Sequence, residues 1–426
     1  MEVVAQRRID ALLSASASDW AACDGIIASR KFVVVGTLCL LLALGAVLRI
    51  FPSSGFHRVG YDEHAYAVFV QQIEKAGLWN YDAVVQVYLE RQEKLPDAQV
   101  PATRVGFLAP AALAADVFYL DPLRALRLVS TLASLGLLLA TAAIGYRSGG
   151  STRMLVVTAL MAVAPLQIAL AQRAMIDGYS ACWAILTAWF FWESLRAPGQ
   201  RGWPVAYGVS LFVLVLTKEN AAFVFLALLA TATTLLLFSR QRPSLGLIVV
   251  SVLAPLFAVL FLAALVGGIS EWIAFYRMFV AKSSGLPYAI QVQDGAWYRY
   301  LIDFAVLSPL VVALAFGRIF QLERTARIDL FWALLLGFSF VVMSSVSYGM
   351  SLRFAAYWDV PLRWLAASQL ILLTQRVFPR RAAFSLVLAV VLCASVDLSQ
   401  YSRLFMRGKI YDPVSVQLLH ASDLVK

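Results

Sequence analysis

The 426-residue chain is 61% hydrophobic and only 14% charged, with a mean hydropathy of +0.77 and a formal net charge of +10. Soluble domains carry about a quarter charged residues, so this composition excludes an ordinary soluble fold. The basic excess is explained by Lys and Arg in cytoplasmic loops, and no nucleic-acid partner is implied.

Repeated apolar runs of spanning length predict an all-α, polytopic helical membrane protein. Residues 1–31 read as a polar cytoplasmic segment with a short amphipathic helix around 9–13, its side marked by Arg7, Arg8, Arg30 and Lys31. The first span, about 32–48, lacks a small-residue cleavage site after it and reads as an uncleaved signal anchor. Cys23, Cys39, Cys182 and Cys393 form no CxxC, so neither a disulfide framework nor a zinc site is expected.

Residues 49–124 form the first outer segment. Two amphipathic helices are predicted there, roughly 62–76 and 80–95, lying along the membrane surface with Tyr66, Phe69, Val70 and Ile73 on one face of the first. The run 105–120 is apolar but short and is interrupted by Pro110 and Asp116. Later basic loops at 147–153, 196–201, 240–242, 318–327 and 376–381 all fall inside only if 105–120 does not cross. The further spans then run about 125–146, 154–170, 179–195, 204–217, 221–238, 247–266, 301–316, 330–346, 361–375 and 382–396. This gives about eleven crossings, N-terminus inside and C-terminus outside. A transmembrane domain of 32–396, with a second large outer loop at 267–300, is followed by a short outer tail, 397–426.

This topology gathers several cations at the disfavoured outer ends of spans: Arg58, Arg104, Arg173, Lys218, Arg277, Lys282, Arg299 and Arg353. Each is either an anion binder or a snorkelling interfacial anchor. Three acids face the same side. Asp62 and Glu63 lie in Gly60-Tyr61-Asp62-Glu63-His64, where Asp62 could equally cap the helix that follows. Asp177 ends the Gln172-Arg173-Ala174-Met175-Ile176-Asp177 turn, and the spacing of Arg173 and Asp177 also fits a local helical ion pair. Thr217-Lys218-Glu219-Asn220 reads as a phosphate-binding turn or as a reversal with its own Lys-Glu pair. The segment 348–359, with Arg353, repeats this pattern. The aromatic loop 271–299 reads as an interfacial belt. Carboxylates ringed by cations suit transfer of a group from an anionic lipid to an acceptor hydroxyl or amine, one acid serving as base and the cations neutralising a phosphate. No P-loop, dinucleotide fingerprint or HExxH is present.

On the Tyr61-Asp62-Glu63-His64 motif, the Gln172-Arg173…Asp177 turn, Thr217-Lys218-Glu219 and Leu352-Arg353-Phe354 followed by Pro361, the sequence resembles the C-type (GT-C fold) glycosyltransferases. Its nearest likeness in style is to protein O-mannosyltransferases and aminoarabinose lipid A transferases. The resemblance covers the order of elements over roughly residues 32–375. It implies a polyprenyl-phosphate-linked sugar donor, inverting transfer on the non-cytoplasmic face of a bacterial plasma membrane, and a lipid, glycan or protein acceptor.

Carried over, Asp62 is the general base or the acid that orients the acceptor, Glu63 holds the acceptor or a metal, and Asp177 is the second acid. Lys218 and Arg353 contact the lipid phosphate, with Arg58, His64, Arg173 and Lys282 as further donor-site groups. The resemblance fixes no cofactor, since members of the family differ in metal dependence, and a divalent metal at Glu63 and Asp177 is an option. Two departures stand out: Val100-Pro101-Ala102 replaces the family's proline pair, and about thirty residues follow the last span in place of a large outer domain. A surface-polysaccharide polymerase or ligase is the nearest alternative. A transporter or flippase of a lipid-linked anion is the other, but the sequence shows no internal repeat and its notable charges gather at span ends on one side.

Overall fold

The computed structural model describes residues 31–52, 59–239, 243–323, 326–346 and 350–422. The helix expected around 9–13, Arg58, the 240–242 loop and Tyr348 lie outside the described residues. Within them the chain is helical, without strands.

Helix α1 (Lys31–Ile50) is apolar around most of its circumference, and Phe32 and Leu40 stand exposed on it. Its last turn turns inward through Arg49, whose guanidinium donates to the Ser134 hydroxyl at 2.9 Å and to the Met161 and Ala162 carbonyls at 2.9 Å each. Those carbonyls end a helix and would otherwise lack partners, so one buried cation satisfies them.

The segment expected as the first outer one folds as α2 (Tyr61–Ala76), α3 (Tyr81–Lys94) and α4 (Val105–Phe118). Tyr66, Val70 and Ile73 recur at helical spacing on α2 and are all buried. With Val84, Val85 and Tyr88 of α3 and Phe107, Leu108 and Ala111 of α4 they form a second hydrophobic core, separate from that of the main bundle. Helix α4 has 14 residues, a rise of about 21 Å, which is short of the ~30 Å hydrocarbon layer.

Helix α5 (Pro122–Ala162) starts at Asp121, which accepts the Arg124 N–H at 3.1 Å, and breaks at Gly149-Gly150, where Gly150 has φ +68°. Only glycine adopts that angle without strain, so the two rods of α5 reverse direction there. Next come α6 (Pro165–Ala171), α7 (Ile176–Arg196), α8 (Gly202–Thr217), α9 (Ala221–Ser239) and α10 (Leu245–Val266).

The aromatic stretch after α10, expected as a loop, is instead largely a helix, α11 (Ile269–Ser284), whose Phe275 packs edge-on against Tyr88 of α3. The run expected as a single span at 301–316 is divided at Ser308 into α12 (Arg299–Leu307) and α13 (Pro309–Phe320), as the missing N–H of Pro309 demands. Then follow α14 (Arg327–Ser344), a tight 3₁₀ stretch Leu352–Trp358, α15 (Asp359–Val377), α16 (Ala382–Tyr401) and a C-terminal helix α17 (Ser415–Ala421).

Among the described residues five helical segments are long and apolar enough to cross a membrane by length and composition: α1, α5, α10, α14 and the Pro379–Arg407 stretch containing α16. Helices α7 and α15 sit centrally and carry charges buried by pairing. Arg363 of α15 contacts Asp359 and reaches Asp397 at 2.6 Å, while Glu193 of α7 bonds Arg147 at 2.9 Å and Arg196 at 2.7 Å. Unpaired, such charges would be prohibitively costly in hydrocarbon.

Candidate active site

The site forms where the N-terminus of α2, the break before α7, the turn between α8 and α9, and the 3₁₀ stretch Leu352–Trp358 meet. Asp62 lies in the first turn of α2, but it does not cap that helix. Gly60 occupies the cap position, and its N–H is accepted by Glu63 Oε2 at 2.9 Å. The other Glu63 oxygen accepts the Ala174 N–H at 2.9 Å, and Arg173 stands 3.8 Å away. Glu63 is 1% exposed. It is therefore a buried brace between the acidic motif and the Arg173 turn, with both oxygens committed.

The two local ion pairs that sequence spacing suggested do not form. Residues 172–175 leave the helix, so Arg173 points to Glu63 and stacks 4.4 Å over the Tyr411 ring, while Asp177 pairs with the Lys218 ammonium. Glu219 pairs instead with Arg104, at 2.8 Å and 3.3 Å through two nitrogens. Burial works against the Glu219 charge, yet Arg104 holds its carboxyl below the usual range. Arg104 also donates to the Tyr66 hydroxyl, which anchors the N-terminus of α4 to α2.

Arg353 is the hub. Its Nη1 donates to Asp62 Oδ2 at 2.7 Å, and its Nε faces Asp412 Oδ1 at 3.5 Å and Asp177 Oδ2 at 4.0 Å. Burial alone would weaken this cation, but Asp412, Asp62 and Asp177 together keep it firmly protonated. Phe354 lies beneath both cations, 3.9 Å from Lys218 Nζ and 5.1 Å from the Arg353 guanidinium carbon. Among the described residues Nη2 of Arg353 has no hydrogen-bond partner. Asp62 is likewise open: its side chain is 23% exposed, and its Oδ1 has no hydrogen-bond partner among the described residues.

The structure thus brings together Asp62, Glu63, Asp177, Arg173, Lys218 and Arg353. It leaves two predicted residues apart. His64 projects exposed from α2, and Lys282 spends its ammonium on the Gln92, Glu93 and Leu95 carbonyls at 2.6, 3.1 and 2.7 Å, capping the end of α3. Arg299 is similarly occupied by the Val292 and Asp294 carbonyls and the Ser415 hydroxyl.

Sequence reasoning missed Asp412 and Tyr411. Both come from the tail, and nothing local in the sequence singles them out. Burial, Asp62 and Glu63 all push the Tyr411 phenol upward, so it stays protonated.

A divalent ion does not fit the residues first considered for it. Both Glu63 oxygens accept backbone N–H groups, Asp177 is taken by Lys218, and the space between the acids is filled by Arg353. Among the described residues no group of three or more His, Cys, Asp or Glu is arranged to hold a metal.

An apolar groove of about 460 Å³ runs between α4, α5 and α7, lined by Leu113, Val117, Leu132, Gly136 and Trp183. Another of its walls is Tyr179, just after Asp177-Gly178.

No family model matches the sequence. No curated protein matches it either. Solved structures do. ArnT from Cupriavidus metallidurans bound to undecaprenyl phosphate superposes with a TM-score of 0.56 at 16% identity, over 92% of this chain and 75% of that one. Its apo state gives 0.53 at 17% identity over the same shares. The Archaeoglobus fulgidus oligosaccharyltransferase tethered with an acceptor peptide containing the NVT sequon gives 0.53 at 14% identity, over 88% of this chain and 55% of that one. At these identities the likeness is one of fold. The chain is an integral membrane protein with the GT-C fold, the architecture it shares with those two transferases.

Proposed function

We propose that the protein is a glycosyltransferase that moves a sugar from a polyprenyl-phosphate-linked donor to an acceptor on the non-cytoplasmic face, with inversion at the anomeric carbon. One observation carries this reading. Of the four acids at the site Asp62 is the most exposed, its Oδ1 has no hydrogen-bond partner among the described residues, and it is salt-bridged to an arginine whose Nη2 has none among them either. A base and an anion donor are thereby fixed side by side.

In this mechanism Asp62 Oδ1 takes the proton of the acceptor hydroxyl or amine as that atom attacks the anomeric carbon. The bond from that carbon to the phosphate oxygen breaks with its electron pair remaining on the phosphate. Arg353, through Nη2, and Lys218, through its ammonium protons, neutralise the leaving phosphate in a buried setting where such charges act strongly. Asp177 holds Lys218 in place. The prenyl chain lies in the apolar groove between α4, α5 and α7. That one structure of the same fold holds undecaprenyl phosphate supports a donor of this chemical class.

The test is donor turnover. Full-length protein in lipid is incubated with a panel of labelled polyprenyl-phosphate sugars, and release of polyprenyl phosphate is followed. Turnover of at least one donor supports the reading, and failure of the whole panel, with envelope acceptors supplied, contradicts it.

A further inference from the structure

The tail reaches back into the site. Asp412 is 2% exposed and well served: its carboxylate accepts the Tyr288 hydroxyl at 2.9 Å, the Gln293 amide at 3.0 Å and the Ser351 hydroxyl. A carboxylate held by three neutral donors is fixed in orientation, and here its Oδ1 stands 3.5 Å from Arg353 Nε, an ion-pair contact without a hydrogen bond.

The backbone around it is clipped to the same stretch that bears Arg353. Leu352 N–H donates to the Pro413 carbonyl at 3.2 Å, and Met350 N–H donates to the Gln293 carbonyl at 2.8 Å. On one side Tyr411 packs on Gly60 and under Arg173; on the other Ser415 bridges Arg299 and Asp303. The tail therefore grips the Arg353 segment and both flanks of the site.

Arg353 has three acids around it, and a guanidinium in such a place has competing orientations. With Nη1 on Asp62 and Nε between Asp412 and Asp177, the Nη2 edge is left for a ligand. If Asp412 loses its charge, the pull that holds Nε away from Asp177 is lost, and Nε and Nη2 are free to turn toward Asp177 and Asp62 over the Phe354 ring.

We propose that Asp412 is a positioning residue that sets the Arg353 guanidinium with its Nη2 edge toward the leaving phosphate, so that residues 410–415 are part of the working site. This rests on the transferase reading for its substrate, though not for its geometry. Asp412 touches no reacting atom; it acts through Arg353.

The test is a double-mutant cycle on the full-length protein in lipid, with Asp412→Asn, Arg353→Lys and the combination. Transfer from a polyprenyl-phosphate sugar is read as kcat and KM, and thermal unfolding of the same four proteins is read as Tm. Asp412→Asn, close to isosteric, should lower kcat/KM by ten-fold or more, mostly in kcat, whereas Asp412→Glu should recover part of the loss. In the Arg353→Lys background the further loss from Asp412→Asn should be two-fold or less, and the Tm losses of the single variants should not add. Kinetic losses that multiply and Tm losses that add overturn the proposal, as does wild-type kcat/KM in Asp412→Asn.

If Asp412→Asn does not fold, Tyr288→Phe removes one of its three donors without touching Arg353. It should cost a few-fold in kcat, and that cost should vanish beside Arg353→Lys; the same cost in both backgrounds overturns the proposal. If the parent protein turns over no donor but the Tm losses still fail to add, the transferase reading falls and the Asp412–Arg353 coupling stands. If the parent turns donor over and the losses add, the reverse holds.

Discussion

Glu63 Oε1 accepts the Ala174 N–H at 2.9 Å across 111 positions of sequence. The acidic motif at the start of α2 and the break before α7 are thereby locked together, and the second Glu63 oxygen closes the N-terminus of α2 on Gly60. Glu63 thus sets where Asp62 stands.

Glu63→Ala leaves the Gly60 and Ala174 N–H groups without their acceptor. Each buried donor left unsatisfied costs about 1–3 kcal/mol, so the variant should unfold several degrees lower and lose activity with it. Glu63→Gln keeps an amide oxygen for one of the two donors and should fall between. Thermal unfolding in detergent checks the order wild type, Gln, Ala; equal stability of all three would remove the bracing role.

Lys218 and Asp177 are both buried and contact each other. Lys218→Met should cost about 3–5 kcal/mol, because it strands a buried carboxylate whose remaining cation stands 4.0 Å off. The paired variant Lys218→Met with Asp177→Asn should regain much of that stability while remaining inactive. Recovery of transfer in the pair would show that Lys218 is not needed at the phosphate.

A methyl group on Gly60 would fall 1.8 Å from the Tyr411 ring, although φ −79° and ψ 167° suit alanine. The obstacle is the tail alone. Gly60→Ala should destabilise by about 1–3 kcal/mol through overpacking, and Tyr411→Ala in the same chain should relieve part of it. Unfolding temperatures of the three variants decide this; no relief would mean that Tyr411 is not seated on Gly60.

Gly136 lines the apolar groove, where a Cβ would meet only Cys182 Sγ at an ordinary 3.7 Å. Gly136→Leu should therefore fold well while filling the space. Its KM should rise for a long-chain polyprenyl donor more than for a short-chain one, with kcat little changed. An equal effect on both donors would place the prenyl chain elsewhere.

Much of the framework is legible locally. The Tyr66, Val70 and Ile73 spacing on α2 reports a buried face from the sequence itself, and helices α2 and α3 follow from such periodicity. Pairing among charges is not local. Arg353 meets Asp62 across 291 positions, Lys218 meets Asp177 across 41, and Glu219 meets Arg104 across 115. Adjacent or helically spaced charges suggested Lys218 with Glu219 and Arg173 with Asp177, but the chain leaves the helix at 172–175 and each partner turns away. Lys282 shows the reverse limit: a cation near a predicted outer cavity proves to be a cap for α3, because helix ends compete for the same donors. Asp412 gives no signal of its own, since its importance comes from where the tail returns.

That Asp62 is the base is tested most directly by comparing sugar transfer by the wild-type protein and by Asp62→Asn, each purified in lipid with a polyprenyl-phosphate sugar donor. Asparagine keeps an oxygen for Arg353 but cannot take a proton. The variant should unfold within a few degrees of wild type, hold its KM for the donor, and lose roughly 10²–10⁴-fold in kcat. Transfer at the wild-type rate by a folded Asp62→Asn protein would contradict the mechanism.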